Sequence, residues 1–509
     1  MKLFPSVKFG KKFFGFQNSS KIQRKNFKVL NNTDINYFKT ILPPESILTE
    51  LDIESNSNTI KNTNSNSISN SLDSYNKDWS GKFKGNSKLV LKPKTSEEIS
   101  KILSYCNNEK IAVNPQSGNT GLVGGSVPVH DEIILSMSKM NKIINFNEIS
   151  NFLHCESGCI LENLTNFLSD KGYSMPLDLG AKGSCLIGGN LSTNAGGIHF
   201  VKYNSLRSNC KGLKFVLPNG DIIDCLNSLP KNNTGYDLKQ LMIGSEGTLG
   251  IITECIINTP IKSKFNDLAI LSLNKFEDVI KVYEILKFEL ASKISAIEFF
   301  DDIVREIQFN CGRINPIEEK SKFYLLIEIE SNQENNKELL QNFLEKLFEK
   351  ELINDAVIAQ DETQKKKIWE LRETISEGAK RNGITLSYDI SLPLLNFYEI
   401  VEETRKRIGN LATVIGYGHI GDFNLHLNVC YNKKIIDSEF EKIVDLMEPF
   451  VFDYLVSVGG SISAEHGIGL FKARYLHKNH SDENLKMMKG IKNLIDPNGI
   501  MNPYKLFDV

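Results

Sequence analysis

Two short segments near the C-terminus combine residue types that bind divalent metals. The first, His-Ile-Gly-Asp-Phe-Asn-Leu-His, runs from His419 to His426, and the second, Ala-Glu-His-Gly at 464–467, adds Glu465 and His466. Two imidazoles and one carboxylate that leave coordination positions open are typical of a catalytic zinc site, although manganese, cobalt and iron accept the same ligands. The sequence therefore predicts a metal site; the alternative is a pair of hydrogen-bonded structural histidines.

The two histidines can face one ion only if the chain reverses direction between them. On one straight strand, residues seven apart point to opposite faces, so we expect a turn at Gly421 and Asp422. After the turn, alternation puts Asn424, His426 and Asn428 on one face of a strand whose other face is apolar. A polar face on an apolar strand is costly unless it lines a site, so this strand is predicted to form one wall of the site.

Three glycine-rich segments in the N-terminal half are of the kind that hold a dinucleotide. Glycines let backbone N–H groups close on a pyrophosphate, and neighbouring hydroxyl groups add further donors. One such loop is more often a plain turn, but three of them, each bounded by strands, favour a cofactor site. None matches GxGxxG in a βαβ unit, so a Rossmann site is not supported. The three segments lie at 115–126, 180–197 and 244–253.

Strands and a helix are predicted around these glycine loops. Thr95 is expected to begin a helix, because acidic residues follow in its first turn and favour the positive N-terminal end. The dipeptide Asn219-Gly220 between apolar runs predicts an antiparallel hairpin over 215–225. Strands are predicted at 111–113, 133–135, 215–217 and 251–253.

A chain of 509 residues is too long for one hydrophobic core, and its composition changes near residue 265. Residues 79–262 are predicted to form an α+β cofactor domain. Residues 263–465, with dense Lys and Glu and few glycines before 370, are predicted to form a second α+β domain, an antiparallel sheet with helices on one face. Residues 466–509 return to glycines and helix and are predicted to form a C-terminal segment.

The N-terminal region differs from the rest of the chain. Residues 1–33 contain eight lysines or arginines and no acid until Asp34, which is typical of a mitochondrial transit peptide; a disordered basic arm is the alternative. Residues 34–78 include an Asn/Ser-rich stretch at 55–70 with too little apolar surface to offset its ordering entropy. We therefore expect this segment to be poorly ordered.

The overall composition excludes several classes of partner. The formal net charge is -2, so no global field favours nucleic acid. No apolar run approaches the ~18–20 residues of a membrane-spanning helix. The nine cysteines contain no CxxC pair, which favours free thiols in a reducing compartment.

The glycine segments and the C-terminal motifs together resemble a known family. The segments at 115–126, 188–197 and 244–253 resemble the FAD domain of the vanillyl-alcohol-oxidase/PCMH flavoprotein superfamily. Together with the metal-ligand motifs and Asn-Pro-Tyr-Lys at 502–505, they make residues 75–507 similar to the D-2-hydroxyglutarate dehydrogenases and the related D-lactate dehydrogenases. The resemblance implies an α+β chain with a PCMH-type FAD-binding domain, an antiparallel-sheet substrate domain and a helical C-terminal cap that returns to the FAD.

The resemblance also implies how FAD is held. The pyrophosphate is expected in the 115–126 loop and the flavin ring at the domain interface. Some relatives attach the flavin covalently to a histidine of this loop; Asn119 stands in that region here, so non-covalent FAD is expected. The implied FAD-binding residues are Pro115, Ser117, Gly118, Asn119, Thr120, Gly121, Ser126, Gly183, Ser184, Gly188, Gly189, Asn190, Thr193, Asn194, Gly196, Gly197, Glu246, Gly247, Gly250, Ile252 and Asn502.

For the substrate side, the resemblance implies a metal-assisted oxidation of a 2-hydroxy acid. A 2-hydroxy acid chelates a metal, the bound hydroxyl loses its proton to an imidazole, and hydride leaves C2 for flavin N5. The implied roles are metal ligand for His419, His426 and Glu465, general base for His466, and substrate contact for Arg372, Ser376, Asn428 and His466. Ser376 follows Arg372 by one helical turn and is expected on the same face.

The sequence departs from the family pattern at two positions. Ser387 stands where D-2-hydroxyglutarate dehydrogenases carry a lysine, and Phe423 replaces a glycine in the metal-site turn. A missing cation weakens dicarboxylate binding, so these departures bear on the substrate more than on the reaction.

The expected activity is FAD- and metal-dependent oxidation of D-2-hydroxyglutarate to 2-oxoglutarate, with zinc as the expected metal. The alternatives are a D-lactate or broad D-2-hydroxy-acid dehydrogenase that can act as a transhydrogenase, a metal-dependent hydrolase with structural glycine loops, and a flavoprotein without activity. No NAD-binding pattern is present, and the resemblance implies electron-transfer flavoprotein as acceptor in the mitochondrial matrix.

Overall fold

The computed structural model describes residues 22–50 and 72–507. Its N-terminal part contains two sheets, built from β1 (Ile47–Thr49), β2 (Leu89–Leu91), β3 (Val113–Gln116), β4 (Ile133–Ser136), β5 (Ile143–Asn147), β6 (Phe152–Glu156), β7 (Cys210–Val216), β8 (Ile222–Cys225) and β9 (Ile251–Asn258). The first sheet has the order β1-β2-β4-β3, in which β2, β4 and β3 are parallel and β1 is antiparallel to β2. The second, in the order β5-β6-β9-β7-β8, is antiparallel.

Several helices accompany these sheets, among them α1 (Asn32–Ile41), α2 (Ser96–Glu109), α3 (Leu161–Ser169), α4 (Ile187–Thr193), α5 (Phe200–Tyr203), α6 (Leu206–Asn209) and α7 (Lys239–Met242). The side chain of Thr95 accepts a hydrogen bond of 3.1 Å from the Glu98 backbone N–H and caps α2, as the sequence predicted. The predicted hairpin over 215–225 is confirmed by the antiparallel pairing of β7 and β8. The strand expected at 111–113 is confirmed in part, because β3 begins at Val113.

The second half of the chain forms one antiparallel sheet of seven strands: β10 (Phe265–Leu273), β11 (Ile294–Asp301), β12 (Phe323–Ser331), β13 (Asp355–Ile358), β14 (Ile384–Ser391), β15 (Thr413–His419) and β16 (Asn424–Tyr431). Their order is β13-β10-β12-β11-β15-β16-β14. The edge formed by β15, β16 and β14 carries the two predicted metal-binding histidines.

Helices cover both faces of this sheet: α8 (Phe276–Leu290), α9 (Asp302–Asn310), α10 (Asn336–Glu349), α11 (Glu362–Glu373), α12 (Ile375–Arg381), α13 (Glu399–Ile408) and α14 (Ser438–Ser457). Helices α8, α10, α13 and α14 pack on one face, and α9, α11 and α12 pack on the other. The expectation of helices on one face is therefore wrong. The reason lies in strands such as β12, where Leu325 and Leu326 point to opposite faces and both are buried, so each face needs a cover.

The N-terminal segment is folded onto the first sheet. The Arg24 Nε atom lies 2.6 Å from Asp131 Oδ1, and the Lys28 Nζ atom lies 2.6 Å from the buried Asp34 carboxylate. Phe27 is buried against Tyr504. A transit peptide that extends to residue 33 conflicts with these contacts, because they tie residues 24–28 to the folded protein; residues 1–21 lie outside the described residues.

The prediction that residues 34–78 are poorly ordered is wrong at both ends of that segment. Residues 32–41 form α1, which begins with a capping box between Asn31 and Asp34, and β1 pairs with β2. Leu72 is buried against Val90 and Ile134. The Asn/Ser-rich stretch at 55–70 lies outside the described residues. Local capping and sheet pairing thus order a segment whose average composition is polar.

The C-terminal segment contains α15 (Leu476–Asn479) and α16 (Asp482–Ile495) and then runs back to β3. The Val113 N–H donates to the Ile500 carbonyl at 2.8 Å, and the Asn502 N–H donates to the Val113 carbonyl at 2.8 Å. The buried Lys505 ammonium donates to Asn114 Oδ1 at 2.6 Å and to the Val127 carbonyl at 2.5 Å. The end of the chain therefore fixes the strand and the loop that begin the first glycine segment.

Candidate active site

A cavity of about 1440 Å³ lies between the glycine loops and the β14–β16 edge of the large sheet. The glycine loops line one side of it. The other side carries the histidines of β15 and β16, Arg372 and the residues around Glu465. The cavity thus joins the two sets of motifs that the sequence singled out.

The glycine loops approach each other so closely that side chains would not fit. A Cβ atom on Gly118 would lie 2.2 Å from the Ser184 carbonyl oxygen, and one on Gly189 would lie 2.7 Å from the Ser117 Cβ atom. The Oδ1 atom of Asn190 at this wall is buried and has no hydrogen-bond partner among the described residues. This cradle of bare backbone with an unsatisfied buried polar atom fits the phosphate-bearing part of a dinucleotide.

All but four of the residues predicted for FAD binding line this cavity. The four that do not are Gly183, Asn194, Gly196 and Asn502. Asn194 ends α4 in a left-handed conformation and accepts a hydrogen bond from the Arg207 N–H. A Cβ atom on Gly196 would lie 2.9 Å from Glu465 Oε1, so Gly196 leaves room for the predicted metal ligand. Asn502 Nδ2 donates to the Glu246 carbonyl at 2.7 Å. Asn194, Gly196 and Asn502 therefore position neighbouring residues.

Two further predicted cofactor residues use their side chains to hold the loops. The Glu246 carboxylate accepts hydrogen bonds of 2.7 Å from the Ile468 and Gly469 N–H groups. Asn119 donates to the Lys77 carbonyl at 2.8 Å and accepts from the Ser126 hydroxyl at 2.7 Å. Both residues adopt positive φ angles. The side chain of Glu246 thus links the 244–253 segment to the chain that follows Glu465.

The two predicted metal-binding histidines meet across a hairpin. Strands β15 and β16 are antiparallel and pair His419 with Asn424 and Tyr417 with His426. The chain reverses between His419 and Asn424, as the sequence predicted, and the two Nε2 atoms lie 3.5 Å apart.

Glu465 completes a group of three possible ligands. The Glu465 Oε1 atom lies 3.5 Å from His419 Nε2, and it is buried without a hydrogen-bond partner among the described residues. Three ligand atoms from His419, His426 and Glu465 lie within 4.8 Å of one another. Ligand atoms about 2.0–2.2 Å from one tetrahedral ion lie roughly 3.3–3.6 Å apart. The geometry and the unpartnered carboxylate oxygen therefore fit a divalent cation.

Glu298 on β11 orients the first of these histidines. Its Oε1 atom lies 2.6 Å from His419 Nδ1, and its Oε2 atom lies 2.7 Å from Arg372 Nε. Burial lowers the pKa of His419, but the Glu298 carboxylate outweighs this effect and raises the pKa to about 9. A carboxylate at Nδ1 of a histidine fixes its tautomer and makes Nε2 a stronger ligand.

Asp389 on β14 holds the segment that contains Glu465. Its Oδ2 atom accepts hydrogen bonds from the N–H groups of Glu465 at 2.9 Å and His466 at 2.8 Å. Its Oδ1 atom accepts one of 2.9 Å from Asn424 Nδ2. Burial opposes the ionisation of Asp389, but His466 and Lys472 hold its pKa well below the usual range. A single buried carboxylate thus connects the Glu465 loop to the histidine hairpin.

Glu298 and Asp389 are functional residues that the sequence analysis missed. Glu298 lies 121 positions from His419, and Asp389 lies 76 positions from Glu465. A sequence feature could have found them, because each is a carboxylate flanked by large apolar or aromatic residues, Ile297 and Phe299 for Glu298 and Tyr388 and Ile390 for Asp389. A buried carboxylate is stable only with a partner, so each of these positions indicates a polar cluster.

The predicted base, His466, lies half-buried beside the metal-ligand group. Its ring stacks on that of His426 with a centroid distance of 5.9 Å. Burial lowers the pKa of His466, and it also lowers that of His426 well below the usual range. Burial alone therefore favours neutral imidazoles, which can accept a proton or bind a cation.

Three of the four predicted substrate contacts converge on Tyr417. The Arg372 guanidinium lies 4.9 Å from the Tyr417 ring centroid, the Ser376 hydroxyl lies 3.0 Å from the Tyr417 hydroxyl, and Asn428 Nδ2 donates to that hydroxyl at 3.2 Å. Arg372 is buried, and its Nη2 atom has no hydrogen-bond partner among the described residues. A buried guanidinium with a donor directed at no protein acceptor fits a substrate carboxylate.

The expectation that Arg372 and Ser376 share one helix is wrong. Helix α11 ends at Glu373 and α12 begins at Ile375. The reason is that Gln308 Nε2 donates to the Leu371 carbonyl at 2.5 Å and to the Thr374 hydroxyl at 3.0 Å, which takes a carbonyl that a continuous helix would use. Both side chains nevertheless line the cavity.

Two protein-family models match the chain. A model described as "FAD binding domain" matches residues 87–226, and one described as "FAD linked oxidases, C-terminal domain" matches residues 262–506. Among solved structures, p-cresol methylhydroxylase superposes with a TM-score of 0.74 at 15% identity, over 94% of this chain and 96% of that one. Alkyldihydroxyacetonephosphate synthase superposes with a TM-score of 0.71 at 17% identity, over 96% and 88%. The predicted PCMH-type fold is confirmed.

Curated relatives extend over nearly the whole chain. A probable mitochondrial D-2-hydroxyglutarate dehydrogenase of Oryza sativa subsp. japonica is 46% identical, over 94% of this chain and 82% of the relative. The mitochondrial D-2-hydroxyglutarate dehydrogenase of Arabidopsis thaliana is 45% identical, over 97% and 85%. Two fungal relatives carry other names: a putative mitochondrial D-lactate dehydrogenase of Schizosaccharomyces pombe, at 42% identity over 97% and 93%, and a D-2-hydroxyglutarate–pyruvate transhydrogenase of Saccharomyces cerevisiae, at 41% over 94% and 95%.

The matched domains and the fold define a class, that of the FAD-dependent dehydrogenases. Within it, the chain belongs to the D-2-hydroxyglutarate dehydrogenase family. The mitochondrial names of the plant and fission-yeast relatives confirm the predicted mitochondrial localisation. Among the described residues, no helix is long and apolar enough to cross a membrane.

Proposed function

We propose that this enzyme oxidises D-2-hydroxyglutarate to 2-oxoglutarate, with FAD as the oxidant. A divalent metal, for which zinc is the first candidate, would bind at the histidine hairpin. The observation that carries the proposal is the convergence of His419, His426, Glu465, His466 and Arg372 on the cavity that the glycine loops line. A metal-ligand group, a half-buried imidazole and a buried guanidinium are together suited to a 2-hydroxy acid.

FAD fits the glycine wall. The 115–126 loop would hold the pyrophosphate, and the close loop contacts at Gly118 and Gly189 would keep the backbone near it. When bound, FAD supplies a hydride acceptor at flavin N5. The 115–126 loop contains no histidine that could bond the flavin covalently, and a hydrogen bond holds the side chain of Asn119 in place. The lack of a histidine in this loop supports non-covalent binding.

The metal would be held by His419 Nε2, His426 Nε2 and a Glu465 carboxylate oxygen. When bound, a divalent cation lowers the pKa of a hydroxyl group that it binds. Burial raises the pKa of Glu465 to about 7 even though His419 opposes this effect, so the carboxylate needs a positive partner to be charged. Glu298 keeps Nε2 of His419 free to face the ion.

His466 would take the proton of the substrate hydroxyl. Burial lowers the pKa of this histidine, and a neutral imidazole is the form that accepts a proton. The hydrogen bond from its backbone N–H to Asp389 fixes the backbone of this residue. Asp389 is therefore a positioning residue.

Arg372 would bind the carboxylate next to the reacting carbon, because a guanidinium can bind a carboxylate through two hydrogen bonds. Its pairing with Glu298 and its contact with the Tyr417 ring hold the guanidinium in place. Ser376 and Asn428 would add hydrogen bonds from their positions beside the Tyr417 hydroxyl.

A second candidate is a D-lactate or broad D-2-hydroxy-acid dehydrogenase that can act as a transhydrogenase, because a second 2-keto acid can reoxidise the flavin. The neutral Ser387 at the cavity wall and the names of the two fungal relatives favour this candidate. For the leading candidate, the proposed electron acceptor is electron-transfer flavoprotein in the mitochondrial matrix. For import into the mitochondrion, we propose a transit peptide that ends before Arg24.

Anaerobic mixing of the purified holoenzyme with D-2-hydroxyglutarate, its L-enantiomer and D-lactate tests the proposal. We expect the visible flavin band to bleach rapidly with D-2-hydroxyglutarate alone and the bleaching to stop after treatment with a chelator. Faster bleaching by D-lactate would favour the second candidate. A yellow protein that none of the three compounds bleaches would contradict both.

A further inference from the structure

The cavity contains a second group of positive charge, formed by Lys82 and Lys380. Lys82 belongs to the segment before β2, Lys380 lies on α12, and both line the cavity. The side chain of Lys380 stacks on Trp79, with Nζ 3.1 Å from the ring centroid. Burial, and then the neighbouring Lys380 ammonium, lower the pKa of Lys82 to about 8. Two lysine side chains on the wall of one cavity form a site for an anion.

Asp78 attracts both lysines and opposes the lowering of their pKa values, while its carboxylate is hydrogen-bonded within its own loop. Its Oδ1 atom accepts a hydrogen bond of 3.0 Å from the Phe83 N–H, and its Oδ2 atom accepts one of 3.2 Å from the Ser80 N–H. Two other lysines of the cavity wall are paired elsewhere: Lys472 with Asp389 and Lys182 with Asp178. Lys82 and Lys380 come from different elements and line the same cavity.

The position of Lys82 relates it to the reacting end of the cavity. Its Nζ atom donates to the Thr385 carbonyl on β14 at 2.9 Å. Further along β14, Ser387 pairs with Asn428 and Asp389 pairs with His426. Thr385 is two residues from Ser387, a step of roughly 7 Å along a strand. The ammonium therefore stands at the far end of the row of polar residues that begins at the metal-ligand histidines.

We propose that Lys82, supported by Lys380, binds the second carboxylate of the substrate, so that the cavity selects D-2-hydroxy dicarboxylates. Arg372 on α11 and Lys82 in the segment before β2, both of which line the cavity, then provide one cation for each carboxylate. Ser387, on the strand between them, supplies no charge. This inference rests on the proposed function and specifies its substrate class.

The same contact gives Lys82 a role between the two halves of the chain. Lys82 comes from the segment that leads into the first sheet, and Thr385 belongs to the large sheet. The hydrogen bond between them closes one side of the cavity. A substitution of Lys82 therefore needs a readout that separates lost charge from a loosened wall.

The test compares two substrates of equal chain length on the holoenzyme: D-2-hydroxyglutarate, and D-2-hydroxypentanoate, which lacks the second carboxylate. For Lys82→Met, we expect kcat/KM for D-2-hydroxyglutarate to fall about 10- to 100-fold, the loss expected for a charge-assisted hydrogen bond, while the value for D-2-hydroxypentanoate changes less than about twofold. Lys82→Arg keeps the charge and is expected to retain most of the preference. Lys84→Met is the matched control, because Lys84 pairs with Asp73 and is 62% exposed.

Ser387→Lys in the Lys82→Met background provides a rescue, since it returns a cation to the same wall, and we expect it to recover part of the dicarboxylate preference. An equal loss on both substrates would overturn the proposal, because it would mean that Lys82 only supports the wall. An unchanged ratio of the two kcat/KM values would also overturn it. If neither compound reduces the flavin of the wild-type enzyme, the proposed function fails as well, which distinguishes that failure from the failure of Lys82 alone.

Discussion

The two walls of the cavity are built on different principles. The glycine wall works through missing side chains: at Gly118 and Gly189 an added Cβ atom would collide with the neighbouring loop. The histidine wall works through buried ionisable side chains, each held by a carboxylate from another strand, as His419 is by Glu298. Changes in the first wall should therefore act on cofactor binding, and changes in the second on metal binding and chemistry.

The largest effect is expected from His466→Ala, which removes the proposed base and nothing from the glycine wall. We expect kcat to fall about 100- to 10,000-fold, with the flavin content of the purified protein unchanged. The rate of flavin bleaching and the ratio of absorbance at the flavin band to that at 280 nm measure the two quantities. A parallel loss of flavin would show that the two walls are not separable.

The next effect concerns the carboxylate behind the metal ligand. Because Glu298 holds His419 through Nδ1, Glu298→Gln is expected to lower metal affinity or activity about 10- to 100-fold, measured by metal analysis after dialysis and by flavin bleaching. Glu254→Gln is the matched control: Glu254 also lies beside a histidine, His154, at 2.8 Å, but in the five-stranded sheet. Loss of metal from both variants alike would contradict a specific role for Glu298.

The two walls also differ in how much of them the sequence reveals. The glycine loops, the hairpin between His419 and His426 and the cap at Thr95 follow from residues close together in the chain, and these were predicted. The partners Glu298 and Asp389 are brought to the site by strand pairing over long separations, which local patterns do not encode. The break between Arg372 and Ser376 has the same origin, since it depends on Gln308 from another helix.

The glycine wall is tested by Gly189→Ala. The new Cβ atom would lie 2.7 Å from Ser117 Cβ, and relief of an overpacked contact costs about 1–3 kcal/mol, so we expect FAD to bind about tenfold more weakly. The measurement is fluorescence titration of the apoprotein with FAD. Gly180→Ala is the control, because an added Cβ atom there meets no atom within 4 Å and should leave FAD affinity unchanged. Equal weakening in both variants would argue against the close loop contact as the cause.

The smallest effect concerns the turn of the histidine hairpin. This turn needs a residue with a positive φ angle, a requirement that is typical of the glycine wall. Phe423 has a φ of 66°, a left-handed conformation that costs a residue with a Cβ atom about 1–2 kcal/mol. Its ring meets that of Tyr283 edge to face at 6.2 Å, so a single substitution would mix backbone strain with a lost ring contact. Phe423→Gly and Phe423→Ala both lose the ring, and only glycine removes the strain.

We therefore expect Phe423→Gly to be more stable to urea than Phe423→Ala by about 1 kcal/mol, with both variants retaining their flavin. The comparison uses urea unfolding of the two holoenzymes followed by circular dichroism. Equal stability of the two variants would mean that the turn relaxes when the ring is lost. A clear difference would show that this turn requires a left-handed backbone conformation, which the glycine loops adopt because they contain glycine. It would also show that Phe423 occupies the turn at a local cost in stability.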